Sequence, residues 1–237
     1  MILSLWNFEK YFGIIIRSVL RLVNLVKKHV VNTECEVHQF INIHAIKSLK
    51  KHNYKKAFLL FFKYQEKINQ GVVWADQDFK SIGHFYNFNK DKGLYGHDHS
   101  LNLLKKYYKK AFDCWLKKKP EDSMFYLGAC VHLLQDMTVP HHVNIRLLDK
   151  HRKYENYVKA NYQKYPEFIN TKKPIIFDSL VDYIKFNAKN ALDIYQNAGE
   201  KKNREEKFYY ITKNILPLAQ RTTAGCFLMF AKQIGYI

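Results

Sequence analysis

Apolar residues recur at intervals of three and four through most of this 237-residue chain, and only 9 glycines and 5 prolines interrupt them. That spacing puts apolar side chains on one face of a helix; a strand would need a period of two. The chain therefore reads as all-α. Helices are expected near residues 9–27, 35–51, 55–69, 100–118, 121–137, 151–165, 178–197 and 203–233. Gly71 reads as the stop after the third of these and Pro120 as a first-turn residue of the fifth. Two stretches, 71–99 and 138–150, carry Asp, His, Asn and Gly in place of the periodic pattern and read as loops. No internal repeat or low-complexity linker divides the rest. Residues 35–237 read as one helical-bundle domain, preceded by an amphipathic segment over 1–34.

Composition narrows the class. A content of 47% apolar and 16% aromatic residues excludes a disordered chain, and this length can bury a core unaided. The longest apolar runs, Ala57 to Phe62 and Cys226 to Ala231, are far shorter than the roughly 18–20 residues of a membrane span. Glu9, Lys10, Arg17 and Arg21 break the apolar N-terminal stretch, and no small-residue cleavage site follows, so export by a standard signal is not expected. A cytoplasmic or membrane-associated location is compatible with this. The formal net charge of +18 favours anionic partners. The lysines are scattered through Lys47 to Lys56, Lys105 to Lys119 and Lys201 to Lys207 without forming one stripe, so a solvated surface, no nucleic-acid partner and a monomer are expected. Cys35, Cys114, Cys130 and Cys226 form no CxxC pair, which argues against a disulfide framework and against a thiolate zinc knuckle.

The eleven histidines keep unusual company. His132 and Asp136 in CVHLLQD, and His151 and Glu155 in HRKYE, each stand at i and i+4, where a helix holds two donors on one face about 5–6 Å apart. His141 and His142 are adjacent in TVPHH. Gly128 and Ala129 lie on the His132 side of their helix, and their small size lets another segment bring further ligands close. One such pair arises easily on a charged helix face. Two pairs within 24 residues, together with Asp76, His84 and the earlier His38, point to zinc.

The segments GVVWADQD (71–78), IGHFYN (82–87), MFYLGACVHLLQDMTVPHH (124–142), HRKYENYV (151–158) and LAQRTTAG (218–225) occur in the order of a known family. With them the chain resembles, from about residue 35 onward, the bacterial zinc-dependent phospholipase C family, whose catalytic domain is shared with clostridial-type alpha-toxins. The resemblance implies an all-α bundle with three zinc ions in a cleft; two or three are expected here. It implies cleavage of the glycerol-side phosphoester of phospholipids at a membrane surface, giving diacylglycerol and a phosphorylated headgroup. It also implies one zinc on Asp76, His84, His132 and Asp136, with Asp136 bridging to a second zinc that takes His38, and a remaining ion on His142, His151 and Glu155. Asp76 would be the general base. His142 is favoured over His141 because the family's ligand stands six residues after the bridging Asp; His141 is expected to be exposed. His44, His97 and His99 match no ligand position.

The sequence departs from the family at two places. The family completes one zinc site with the amino group and carbonyl of an N-terminal Trp, whereas here the region before His38 reads LVKKHVVNTECEVH. Cys35, three residues before His38, is the candidate extra ligand in its place. Where choline-preferring members carry an acid and two aromatics, this chain has Lys28, Gln77 and Ser81, so a choline cage is not expected. The toxins' C-terminal β-sandwich has no counterpart in this sequence, so toxin behaviour is not implied. Two alternatives stand beside phospholipase C. One is a zinc nuclease of the single-strand-specific type, against which the H-x3-E pair, the short interval from His142 to His151, and the segments HRKYENYV and LAQRTTAG all argue. The other is a non-catalytic, zinc-stabilised helical protein that binds anionic membranes, for which Asp76 would have little purpose.

Overall fold

The computed structural model describes residues 35–77, 83–87, 100–144, 151–201 and 203–237. The amphipathic segment 1–34, Ser81, His97 and His99, and the side chain of His151, lie outside the described residues. The helices are α1 Glu36–Lys51, α2 Lys55–Lys63, α3 Gln65–Asp76, α4 Ser100–Leu116, α5 Pro120–Asp136, α6 Pro140–Val143, α7 His151–Asn161, α8 Leu180–Asn197 and α9 Arg204–Gln233. Short 3-10 turns occupy Pro166–Phe168 and Ala198–Glu200, and no β-strand is present among the described residues.

Local chemistry sets several helix starts. The Asp182 N–H donates to Ser179 Oγ at 3.2 Å ahead of α8, and the Glu206 N–H donates to Asn203 Oδ1 at 2.9 Å ahead of α9. Each side chain satisfies a donor that the first turn of a helix leaves unpaired. Pro120 opens α5, where its missing N–H costs nothing. No described helix is long and apolar enough to cross a membrane.

From Leu127 to Asp136 every residue of α5 is buried, so this helix must be enclosed by others. α3 and α4 lie along it, and α8 and α9 pack on it more locally. Two glycines set the approach of α3. A Cβ on Gly71 would lie 1.8 Å from the Phe125 carbonyl oxygen, and one on Gly128 would lie 2.0 Å from that of Ile68. The backbones of α3 and α5 therefore touch, as the small residues on the His132 face lead one to expect.

The apolar core forms two clusters. The larger gathers residues of α1 to α6, α8 and α9, with Phe61 stacked on Phe227. The smaller joins α1, α7 and α9 around Tyr154, Phe168 and Phe208.

Within the described residues, the observed helices match the expected ones over most of their length. The clearest correction concerns 55–69. That stretch divides at Tyr64, and its second half continues as α3 through Asp76, so Gly71 lies inside a helix. Gly71 serves a helix crossing, and its signal was misread as a stop. Asp76 consequently ends a helix and does not sit in a loop. α7 ends at Asn161, four residues early, and the expected loop 138–150 contains the single turn α6.

Candidate metal centre

Three helix ends and one turn converge on the last turn of α5. His132 and Asp136 share a face there, with His132 Nε2 at 3.3 Å from Asp136 Oδ2. α3 delivers Asp76 at its C-terminus, one and a half turns beyond the crossing at Gly71. Eight residues on, His84 is buried in a short turn. α1 contributes His38 from its first turn, with the ring stacked on His132 at a centroid distance of 4.1 Å. α6 contributes His142, whose Nε2 lies 4.0 Å from Asp136 Oδ1. The Tyr86 N–H donates to the His142 carbonyl at 3.2 Å and ties the His84 turn to α6.

Two triads close tightly enough to grip one ion each. The ligating atoms of His38, His132 and Asp136 lie within 4.8 Å of one another, and so do those of Asp76, His84 and His132. His84 Nε2 lies 3.1 Å from the Ala75 carbonyl, which can only accept, so the proton is on Nε2 and the Nδ1 lone pair faces inward. That lone pair meets Asp136 Oδ2 at 2.8 Å and His132 Nε2 at 3.2 Å. Acceptor atoms converging at such distances need a proton or a cation between them.

The electrostatics agree. Burial works against the charge on Asp136, yet the nearby imidazoles of His132 and His142 hold its carboxyl well below the usual carboxylate range. Burial raises the Asp76 carboxyl, and the Asp136 charge adds to this while His84 and His38 oppose it. Burial pushes the imidazoles of His38 and His132 down, so both favour the neutral, metal-binding form. His132 Nδ1 is buried without a hydrogen-bond partner among the described residues. Three imidazoles and two carboxylates of opposed acidity fit a dication such as zinc.

His38, Asp76, Asp136 and His142 line a cavity of about 340 Å³ whose apolar walls are Val37, Ile41, Val139, Val158, Ile215 and Leu216. Cys35 and Glu155 line the same cavity. Glu155 is exposed on α7. The Cys35 thiol donates to Asp76 Oδ2 at 3.5 Å, and burial with the Asp76 charge pushes that thiol far up. Neither tight triad includes Cys35, Glu155 or His142.

His141 corrects an expectation. It is buried, stacked on Tyr154 at 5.6 Å and edge-on to Tyr195 at 6.0 Å, because α6 turns it away from solvent into the seam between α7 and α8. His44 packs on Phe40, away from the cluster.

The amide of Gln135 was not foreseen. Gln135 is buried with its Oε1 at 2.8 Å from His38 Nδ1, and its Nε2 donates to Asn42 Oδ1 at 2.8 Å and Thr223 Oγ1 at 3.1 Å. The available signals were its place beside Asp136 on an all-round buried helix and the i, i+4 spacing of Asn42 from His38.

Comparison with known proteins gives a consistent result. A profile described as zinc dependent phospholipase C matches residues 37–208, well over half of the chain. A phospholipase C of Clostridium novyi is 25% identical over 210 residues, covering 76% of this chain and 53% of that protein. A phospholipase C of Paraclostridium bifermentans is 25% identical over 204 residues, covering 73% and 51%. The chain thus spans about half the length of the curated relatives it matches. Among solved structures, an alpha toxin from Clostridium absonum superposes with a TM-score of 0.69 at 22% identity, over 84% of this chain and 64% of that one, which shows the shared fold.

Proposed function

The chain belongs to the zinc-dependent phospholipase C family, and from that premise we propose that it hydrolyses the glycerol-side phosphoester of phospholipids, releasing diacylglycerol and a phosphorylated headgroup. One observation supports the reading: the two triads draw on three imidazoles and two carboxylates, and His38, Asp76 and Asp136 of that cluster line a cleft with apolar walls.

Asp76, His84, His132 and Asp136 would hold one zinc, His38 and Asp136 a second, and His142, His151 and Glu155 the remaining ion. When bound, zinc supplies Lewis-acid charge toward phosphoryl oxygens and acidifies water. The side chains do the rest. Asp76 accepts the proton of the attacking water, a role suited to a carboxyl that burial has made more basic than usual. Without metal, the Cys35 thiol donates to that carboxylate at Oδ2. Cys35 is also the proposed extra donor on the His38 side, becoming a thiolate on metal binding. The apolar walls accept the glyceryl portion of a lipid and keep bulk water from the reacting bond.

The test is a direct competition of substrates. Purified zinc-loaded protein is assayed on phospholipids of several headgroups for diacylglycerol and on single-stranded DNA for cleavage. Diacylglycerol release supports the proposal; cleavage of DNA without any release from phospholipid overturns it in favour of a nuclease.

A further inference from the structure

We infer that Gln135 is a positioning residue that fixes the tautomer of His38 and so presents His38 Nε2 as the metal-binding atom. The inference rests on reading His38 as a zinc ligand. An amide can offer a neighbour either its oxygen or its NH2, and here the surrounding amides decide which. Asn42 Nδ2 donates to Asn69 Oδ1 at 3.1 Å, which leaves Oδ1 as the Asn42 atom facing Gln135. That oxygen lies 2.8 Å from Gln135 Nε2, and Thr223 Oγ1 takes the second amide hydrogen at 3.1 Å. Both Gln135 hydrogens are thereby committed away from His38. What faces His38 Nδ1 at 2.8 Å is Oε1, which can only accept. The ring proton therefore resides on Nδ1, and Nε2 carries the lone pair, 3.5 Å from Asp136 Oδ1.

The chain of hydrogen bonds crosses the structure through Asn69 on α3, Asn42 on α1, Gln135 on α5 and Thr223 on α9. Three of these helices also carry members of the two triads: α3 ends in Asp76, α1 bears His38, and α5 bears His132 and Asp136. The relay is nearly all interior, with Asn42, Gln135 and Thr223 at most 1% exposed. Outer partners of this kind orient a metal-binding imidazole, and their loss typically weakens metal affinity about 10–100-fold.

Nitrogen NMR shifts of His38 in the metal-free protein, with zinc affinity by chelator competition, test this in wild type, Gln135→Met, Gln135→Glu and His38→Ala. The expected result is an Nδ1-protonated His38 in wild type and in Gln135→Glu, which keeps an acceptor in place. In Gln135→Met the population should move toward Nε2 protonation, with zinc bound about 10–100-fold more weakly. If Gln135→Met does not retain its helical circular dichroism, the wild-type and Gln135→Glu shifts carry the decision. An Nε2-protonated His38 in wild type overturns the inference. So does loss of zinc affinity in His38→Ala with none in folded Gln135→Met. Unchanged affinity in both removes His38 from the ligands, and with it the reading on which the inference stands.

Discussion

At the scale of single residues, the two carboxyls differ in acidity in the sense the proposed roles require. Asp136 is held ionised by its imidazole neighbours, whereas burial makes Asp76 the more basic carboxyl. Asp76→Asn should lower diacylglycerol release by about 10²–10⁴-fold, the usual worth of a general base, with circular dichroism unchanged. Turnover near the wild-type rate would remove Asp76 from that role. Cys35→Ala should reduce the zinc count by one in native mass spectrometry; an unaltered count would leave Cys35 as a hydrogen-bond donor to Asp76 only. The buried histidines give a pH prediction for the metal-free protein. His38 and His132 have folded values below the ordinary 6.5, so the unfolded chain binds more protons and folded stability falls as pH drops through 6.5 toward the folded values. Asp136, also depressed, acts in the same direction at lower pH, below 3.8. Asp76, raised, acts in the opposite direction, so the clean measurement uses metal-free Asp76→Asn. Its thermal midpoint should fall between pH 7.5 and 5.5; a rise would contradict the placement of the two neutral imidazoles.

At the scale of elements, the crossing of α3 and α5 determines whether the two triads can form. Gly71→Ala or Gly128→Ala would drive a methyl into a backbone carbonyl and force the helices apart, at a cost of about 1–3 kcal/mol or more. Asp76 and His84 would move with α3 away from His132 and Asp136, so zinc affinity should fall along with the midpoint. Gly199→Ala, where a Cβ meets nothing within 4 Å, should leave both measurements as they are. The same crossing shows where sequence and structure part. The i, i+4 pair of His132 and Asp136 was legible because it depends only on the pitch of one helix. Gly71 was misread because a glycine that admits a neighbouring backbone looks, in one dimension, like a glycine that ends a helix. His141 was misplaced for a similar reason: its burial comes from α6 packing against Tyr154 and Tyr195, which a single segment cannot reveal. Gln135 lay in plain view beside Asp136, but its partners come from two other helices.

For the whole molecule, periodicity was enough for the all-α class, and the spacing of His, Asp and Glu was enough to indicate metal. The convergence of α1, α3, α5 and α6 on one cluster required the fold. The helices that bring donors together are each anchored in the apolar cores, α3, α5 and α6 in the larger and α1 in both. Such anchoring preorganises donors whose mutual proximity would otherwise be unfavourable. The net charge of +18 favours anionic partners, although the lysines are spread along the chain and give no single docking stripe. We propose that this cluster is a zinc centre that cleaves phospholipid. Its most direct test is one preparation in which bound zinc is counted by native mass spectrometry while diacylglycerol release is followed through chelation and zinc return. The account predicts at least two zinc ions per folded chain, with release abolished by the chelator and restored by zinc. A folded chain that binds no zinc, or release indifferent to the chelator, would contradict it.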